Sequence, residues 1–177
     1  MLERRVEQII DDSLDANVFG EGFDFRAGQR EVVEAICNHY LEDPEGTIIL
    51  DAPTGSGKSL IAMWSAHVLK ELGKRGYLVT SDLMLQDQYE EDFKRLKLKW
   101  PSIRGVDNYN CNVNDLPFSL ADCKMKGIGY EAAEKLPCWG TCGYLQGRKR
   151  AKELPVALFN YSYYLIQRNY VEDKMQE

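Results

Sequence analysis

Eight consecutive residues, Ala52-Pro53-Thr54-Gly55-Ser56-Gly57-Lys58-Ser59, concentrate more recognisable chemistry than any other run in this 177-residue chain. Glycines at 55 and 57 let the backbone curl so that successive N–H groups point inward, an arrangement that grips phosphate oxygens. Lys58 adds a point charge for β and γ phosphates, and the Ser59 hydroxyl suits a magnesium ligand. The general pattern is G-x-x-x-x-G-K-[ST], and Ala52 stands here in place of its first glycine. An apolar run precedes the loop and a helical period follows it, so the positive end of a helix dipole adds to the attraction. The chemistry indicated is ATP binding with Mg2+ by Pro53, Thr54, Gly55, Ser56, Gly57, Lys58, Ser59 and Leu60, with Lys58 and Ser59 closest to catalysis. A chance glycine turn is the bland alternative, and the flanking strand and helix patterns argue against it.

A second cluster is Cys111, Cys123, Cys138 and Cys142, with 11, 14 and 3 residues between successive members. Clustered cysteines in an intracellular chain are more often metal ligands than disulfides. Their stretch has too little apolar content to hold itself together, and a metal would supply folding energy on the order of 10 kcal/mol. Cys138 and Cys142 fit a zinc knuckle, but Cys111 and Cys123 are too far apart for its usual partner pair. The spacing is not that of a ferredoxin either. The residues alone leave the metal open, with four free thiols as the remaining alternative.

The elements that must position these groups follow from periodicity. Leu2, Val6, Ile9, Ile10 and Leu14 predict an amphipathic first helix. A second helix is expected from Arg26 to Tyr40, with Cys37 as a small core residue. Thr47–Leu50 is predicted to be a buried parallel strand, Ser59 to Leu72 a helix, Tyr77–Thr80 a strand and Leu83 to Leu96 a helix. That alternation implies an α/β fold with a parallel sheet. From Trp100 to about Arg150 the rhythm fails and no strong strand is expected. Pro155–Phe159 then reads as a strand, and Tyr163 to Met175 as a helix.

Thr80, Ser81 and Gln86 fall just after a predicted strand, where open α/β sheets hold ligands. Their polar groups are candidates for a nucleic-acid phosphate, with helix capping by Ser81 or Asp82 as the competing role. Charge is unevenly spread: residues 1–93 carry 19 acidic against 8 basic side chains, and residues 94–177 carry 9 against 14. Lys94, Arg95, Lys97, Lys99 and Arg104 surround Trp100, and Arg148, Lys149, Arg150 and Lys152 lie near Tyr144. Cations interleaved with aromatics suit single-stranded nucleic acid, although a solvated basic face explains them equally well. No apolar run approaches a membrane span, and residues 1–15 lack an apolar signal core, so an intracellular location is expected, cytoplasmic, nucleoid or nuclear.

These segments resemble a known family. Phe25-Arg26-Ala27-Gly28-Gln29 followed by the phosphate loop resembles the adenine-sensing segment and motif I of superfamily 2 helicases. Thr80–Gln88 is similar to helicase motif Ia, which contacts single-stranded DNA. Gly105-Val106-Asp107-Asn108-Tyr109-Asn110-Cys111 resembles the opening of the iron–sulfur domain of XPD/DinG-type helicases, and Asn160-Tyr161-Ser162-Tyr163-Tyr164-Leu165 the segment that follows it. The motifs keep the family's order from about Phe25 to Leu165. The resemblance implies a RecA-like P-loop NTPase core, an ATP-dependent 5′-to-3′ DNA helicase activity, and a four-cysteine 4Fe–4S cluster, with zinc as the alternative. It also implies that Phe25, Arg26 and Gln29 bind the nucleotide, the Gln29 amide pairing with the adenine edge. Arg148, Lys149 and Arg150 are then candidates for contact with single-stranded or forked DNA.

The expected organisation is a part of motor domain 1 over residues 1–103, an inserted four-cysteine domain over 104–150, and a return to motor domain 1 over 151–177. The family's Asp-Glu-Ala-His box should follow Leu165 and is not among the 177 residues; nor is a second motor domain. The expectation is therefore an N-terminal portion of a helicase that binds nucleotide, hydrolyses almost none alone, and needs the rest of a helicase chain as partner. Two other readings stay open: a non-catalytic module that binds nucleic acid or a partner, and another P-loop ATPase with structural zinc.

Overall fold

The computed structural model describes residues 2–170. Contact density divides the chain into two compact units. The first, up to Leu78 together with Glu91–Lys99, is built on three helices: α1 (Leu2–Asp15), α2 (Gln29–Glu42) and α3 (Lys58–Glu71). They bury Val6 and Ile10 on α1, Val33 and Cys37 on α2, and Ile61, Trp64, Ser65 and Val68 on α3, while the other predicted stripe residues Ile9, Leu14, Val32 and Ile36 are half-buried and Ala35 is exposed. Trp64 is fully buried and stacks on Phe19 with ring centroids 4.2 Å apart; Phe25 approaches it at 4.8 Å and Phe23 at 5.5 Å. These aromatics bind the chain between α1 and α2 to the middle of α3.

One polar contact lies inside this apolar packing. The Ser13 hydroxyl donates to the Ile9 carbonyl at 2.6 Å, which leaves its oxygen to accept the Nε2 proton of buried His67 at 2.9 Å. Burial pushes the His67 pKa down, with Lys70 acting in the same direction and Glu71 against it. The unfolded chain therefore binds a proton more readily than the folded one. The stability that neutral His67 permits is full above its ordinary value of 6.5 and is lost as pH falls from there through its folded value. Melting temperatures should drop between pH 7 and 5.5, and His67→Gln should flatten that drop, because an amide keeps the donor without titrating.

The second unit comprises Val79–Glu90 and the chain from Trp100 onward. The sheet joins β1 (Gly76–Thr80), β2 (Ser102–Ile103) and β3 (Val156–Asn160) in the order β1-β3-β2. β3 is central, which explains four consecutive buried residues, Val156 to Phe159, since a middle strand is covered on both faces. β2 lies parallel to it, with Ser102 opposite Leu158 and Ile103 opposite Phe159. Helix α4 (Leu83–Arg95) is tied to β2 by buried Gln86, whose amide nitrogen donates to Ser102 Oγ at 2.7 Å and to Ile103 O at 3.0 Å. Two short helices, α5 (Asp122–Met125) and α6 (Tyr130–Ala133), precede α7 (Gly143–Glu153), which packs on β2 and β3; α8 (Tyr161–Tyr170) follows β3 directly.

Two sequence expectations are corrected. Residues 47–50 form no strand, and Ile49 is 89% and Ile48 42% exposed. An apolar run makes a parallel strand only when neighbours supply ladder partners, and none of the described strands flanks this one. Conversely, the stretch after Trp100 does return to the sheet, through the two-residue β2, too short for any periodicity to reveal. The helix expected over 163–175 starts two residues early, at Tyr161, and residues 171–175 lie outside the described part. No described helix is long and apolar enough to cross a membrane.

Candidate functional site

The phosphate loop sits between the exposed run at 47–50 and α3, which begins at Lys58. Gly55 and Gly57 take φ values of 83° and 85°, in the left-handed region that only glycine enters freely. A curled backbone therefore leads directly into a helix N-terminus, as the sequence predicts. Pro53, Thr54, Gly55 and Lys58 are exposed, while Ser56, Gly57, Ser59 and Leu60 are partly covered. The Lys58 ammonium folds back over the loop, donating to Ala52 O at 2.8 Å and Pro53 O at 3.0 Å. The Ser56 hydroxyl oxygen is buried with no hydrogen-bond partner among the described residues. An exposed cation and an unsatisfied hydroxyl in one curled loop are the groups a triphosphate would recruit.

The segment before α2 closes onto the loop from the other side. Gly28, with φ 82°, begins α2, and Gln29 is 4% exposed. Its Oε1 accepts the Arg26 backbone N–H at 3.0 Å, and its Nε2 donates to Ser56 O at 2.8 Å. The exposed Arg26 guanidinium donates to Gly55 O at 3.1 Å. Phe25 leans on Phe23 at 5.3 Å as well as on Trp64. The structure thus gathers Arg26, Gln29 and the loop at one place, as their order suggested. The Gln29 amide meets the loop at one end and its own segment at the other, with one N–H and one lone pair unspent by these two bonds.

At the end of β1 the expected roles separate. Thr80 is buried and its hydroxyl donates to Asp82 O at 3.2 Å. Gln86 has no exposed surface and holds β2. As placed, both are covered by the fold and neither offers its side chain to solvent. Position after a strand does not reveal which way a side chain faces. Ser81 remains exposed. Asp82 caps α4 by accepting the Leu85 N–H at 2.8 Å. Asp82→Ala should therefore cost about 1 kcal/mol of stability, measurable as a small shift in urea midpoint at constant slope.

The basic run is less free than its sequence implies. Arg104 is held by Glu90 at 2.8 Å and by Asp87, and Arg95 pairs with Asp92 at 2.7 Å. Lys149 sits 3.8 Å from Glu153 on α7, while Arg150 is exposed. Arg148, Lys149 and Arg150 occupy consecutive positions on α7, about two turns beyond Cys142.

The cysteine-bearing stretch is organised by backbone bonds. Cys138 and Cys142 are joined by a Cys142 N–H to Cys138 O bond of 2.9 Å. The side-chain amide of Asn112, next to Cys111, donates to the carbonyl of Thr141, next to Cys142. Burial pushes the Cys123 thiol up; the Lys124 N–H directed at its sulfur pulls it down, and Cys111, Cys138 and Cys142 raise it further. Cys142 is likewise pushed up by burial, lowered by N–H groups of Leu145 and Tyr144, and raised by Cys138 and Cys111. The four sulfurs are thus near enough to feel one another. Yet among the described residues no three His, Cys, Asp or Glu side chains are gathered as ligands of a single ion.

Comparison with known proteins yields one family match. Residues 22–116, more than half of the chain, match the family described as Type III restriction enzyme, res subunit. The match takes in the Arg26–Gln29 segment, the phosphate loop and the β1–α4 junction. No curated protein and no solved structure matches the chain. With its phosphate loop opening α3 and more than half its length matched, the chain belongs to this family of ATP-dependent, helicase-type nucleic-acid motor domains.

Proposed function

We propose that the chain is the N-terminal portion of an XPD/DinG-type 5′-to-3′ DNA helicase, binding ATP and Mg2+ at the phosphate loop and single-stranded or forked DNA beside a four-cysteine 4Fe–4S cluster. The observation that carries the finer reading is the cysteine arrangement. Backbone N–H groups aim at the sulfurs of Cys123 and Cys142, and Asn112 clasps the Cys111 loop to the Cys138–Cys142 loop. Such N–H donors favour thiolate, the form that binds metal. Zinc draws four ligands onto one tetrahedral ion at about 2.3 Å from each sulfur, whereas an iron–sulfur cube spreads its thiolates more widely. The resemblance of Gly105–Cys111 and Asn160–Leu165 to the segments flanking that family's cluster domain favours the cube.

The residues fit the roles this reading requires. Cys111, Cys123, Cys138 and Cys142 would hold the cluster, and the stretch between Cys111 and α7, which contains only short helices, gains its rigidity from it. At the phosphate loop, Lys58 exchanges the Ala52 and Pro53 carbonyls for phosphate oxygens, and Ser59 supplies the hydroxyl for Mg2+. Ser81, Arg148, Lys149 and Arg150 are the DNA contacts retained by the reading.

An anaerobic preparation of the chain tests it. Iron and sulfide near four equivalents each, with visible absorption from thiolate-to-iron charge transfer, are expected. A colourless protein holding one zinc would overturn the cluster and leave a P-loop ATPase with a zinc site. Binding of a fluorescent single strand should weaken with rising salt and weaken further in Arg150→Ala; salt-independent binding would remove the DNA assignment.

A further inference from the structure

We infer that a cavity between α1 and α3 is a binding site for a small primary amine with a short aliphatic body. The cavity measures about 400 Å³ and lies wholly within the first compact unit. It is apart from the phosphate loop, since His67 follows Lys58 along α3 by about two and a half turns. Ile9, Ala16 and Val18 give it an apolar wall. Its polar groups come from Arg5, Asp12, Ser13, His67 and Glu71.

The tautomer of His67 decides what those groups ask for. Ser13 spends its proton on the Ile9 carbonyl, so the imidazole donates from Nε2 and carries a bare lone pair at Nδ1. His67 is 5% exposed, yet Nδ1 has no hydrogen-bond partner among the described residues. A buried acceptor left open on a cavity wall calls for a donor inside the cavity. Burial keeps the ring neutral, which leaves that lone pair available at neutral pH.

The neighbouring charges favour a donor that is a cation. Asp12 uses Oδ1 on the Gln8 amide at 2.8 Å and keeps Oδ2 open. Glu71 is paired with Lys70 at 2.5 Å, so its charge is largely answered. Arg5 is exposed and stands two turns before Asp12 on α1, about 10 Å along the axis, where solvent and salt screen it. A primary ammonium has three N–H donors, which serve Nδ1, Asp12 Oδ2 and one water. An alcohol brings one donor and no charge, and a carboxylate brings no donor. The apolar wall takes the carbon chain.

NMR of the imidazole rings reads the site directly, because the chain has two histidines and His39 lies on α2, outside the cavity. At neutral pH and physiological salt, n-butylamine should shift the His67 ring signals saturably and leave those of His39 in place. A dissociation constant on the order of 1 mM is expected for so small a ligand. n-Butanol should bind at least tenfold more weakly, and butyrate should give no saturable shift. Asp12→Asn keeps the side chain's size and its bond to Gln8, and should weaken butylamine about fivefold through the lost charge. Asp12 is exposed, so the variant should fold, and the unmoved His39 signals confirm that it has. Butanol binding as well as butylamine would reduce the site to a plain apolar cavity and overturn the inference. Butyrate binding more tightly than butylamine would hand the cavity to Arg5, with the same result. His39 shifting in step with His67, or unchanged affinity in Asp12→Asn, would mean that the net charge of −6 merely attracts cations, and also overturns it. So does a His67 ring that butylamine does not move.

Discussion

Lys58→Ala is expected to weaken triphosphate binding by about 100-fold while the melting temperature stays within a degree or two of wild type. Loss of a charge-assisted contact to phosphate costs about 1.5–3 kcal/mol, and the lysine meets both β and γ groups, so 100-fold, about 2.7 kcal/mol, is a fair estimate of the total. The fold is spared because Lys58 is exposed and its two bonds, to Ala52 O and Pro53 O, are to carbonyls that water can satisfy. Calorimetric titration and a parallel melt check both halves. Iron content should not change, because the phosphate loop and the cysteines fall in different compact units. A Lys58→Ala protein that loses its metal would contradict that separation.

Cys142→Ser should produce the larger effect, on structure. Cys142 is 3% exposed, stands at the N-terminus of α7 and receives N–H groups from Tyr144 and Leu145. Under the cluster proposed above, a hydroxyl there would be a poor ligand, and loss of one of four thiolates would remove much of a binding energy on the order of 10 kcal/mol. Iron and visible colour should vanish. Proteases should then cut between Cys111 and Gly143, where the chain has only short helices to hold it. The first unit should survive, since its core of Phe19, Trp64, Val33 and Val68 owes nothing to the cysteines. Its melt, followed through Trp64 fluorescence, is the control. Full retention of metal in Cys142→Ser would remove Cys142 from the ligand set.

Much of this architecture was legible because helices write a period into their residues. The periodicity over α1 to α3 marked the helices, and the run Val156–Phe159 marked the central strand, although Ile9, Val32 and Ile36 on the expected stripes are only half-buried. The phosphate loop was legible for a different reason: Gly55 and Gly57 are required by its φ values, so local chemistry and local geometry coincide. What failed to be legible depended on distant partners. Thr47–Leu50 has a strand's composition and lacks strand neighbours. β2 is two residues long and takes its identity from register with Leu158 and Phe159. Gln86 and Thr80 have the chemistry of phosphate contacts, but their direction was set by β2 and by the α4 cap. Gln29 was placed correctly beside the loop, while its orientation followed from Ser56 O, a backbone atom that no side-chain pattern records.

The exposed run at Ile48, Ile49 and Leu50 has a consequence for colloidal behaviour. Adjacent exposed aliphatic side chains favour association between molecules. At neutral pH a net charge of −6 keeps copies apart by repulsion. Near the isoelectric point of about 5.1 that repulsion disappears, leaving three adjacent aliphatic side chains with nothing to prevent aggregation. The same three residues that lead toward the phosphate loop therefore limit the acidity and concentration at which the protein stays dispersed.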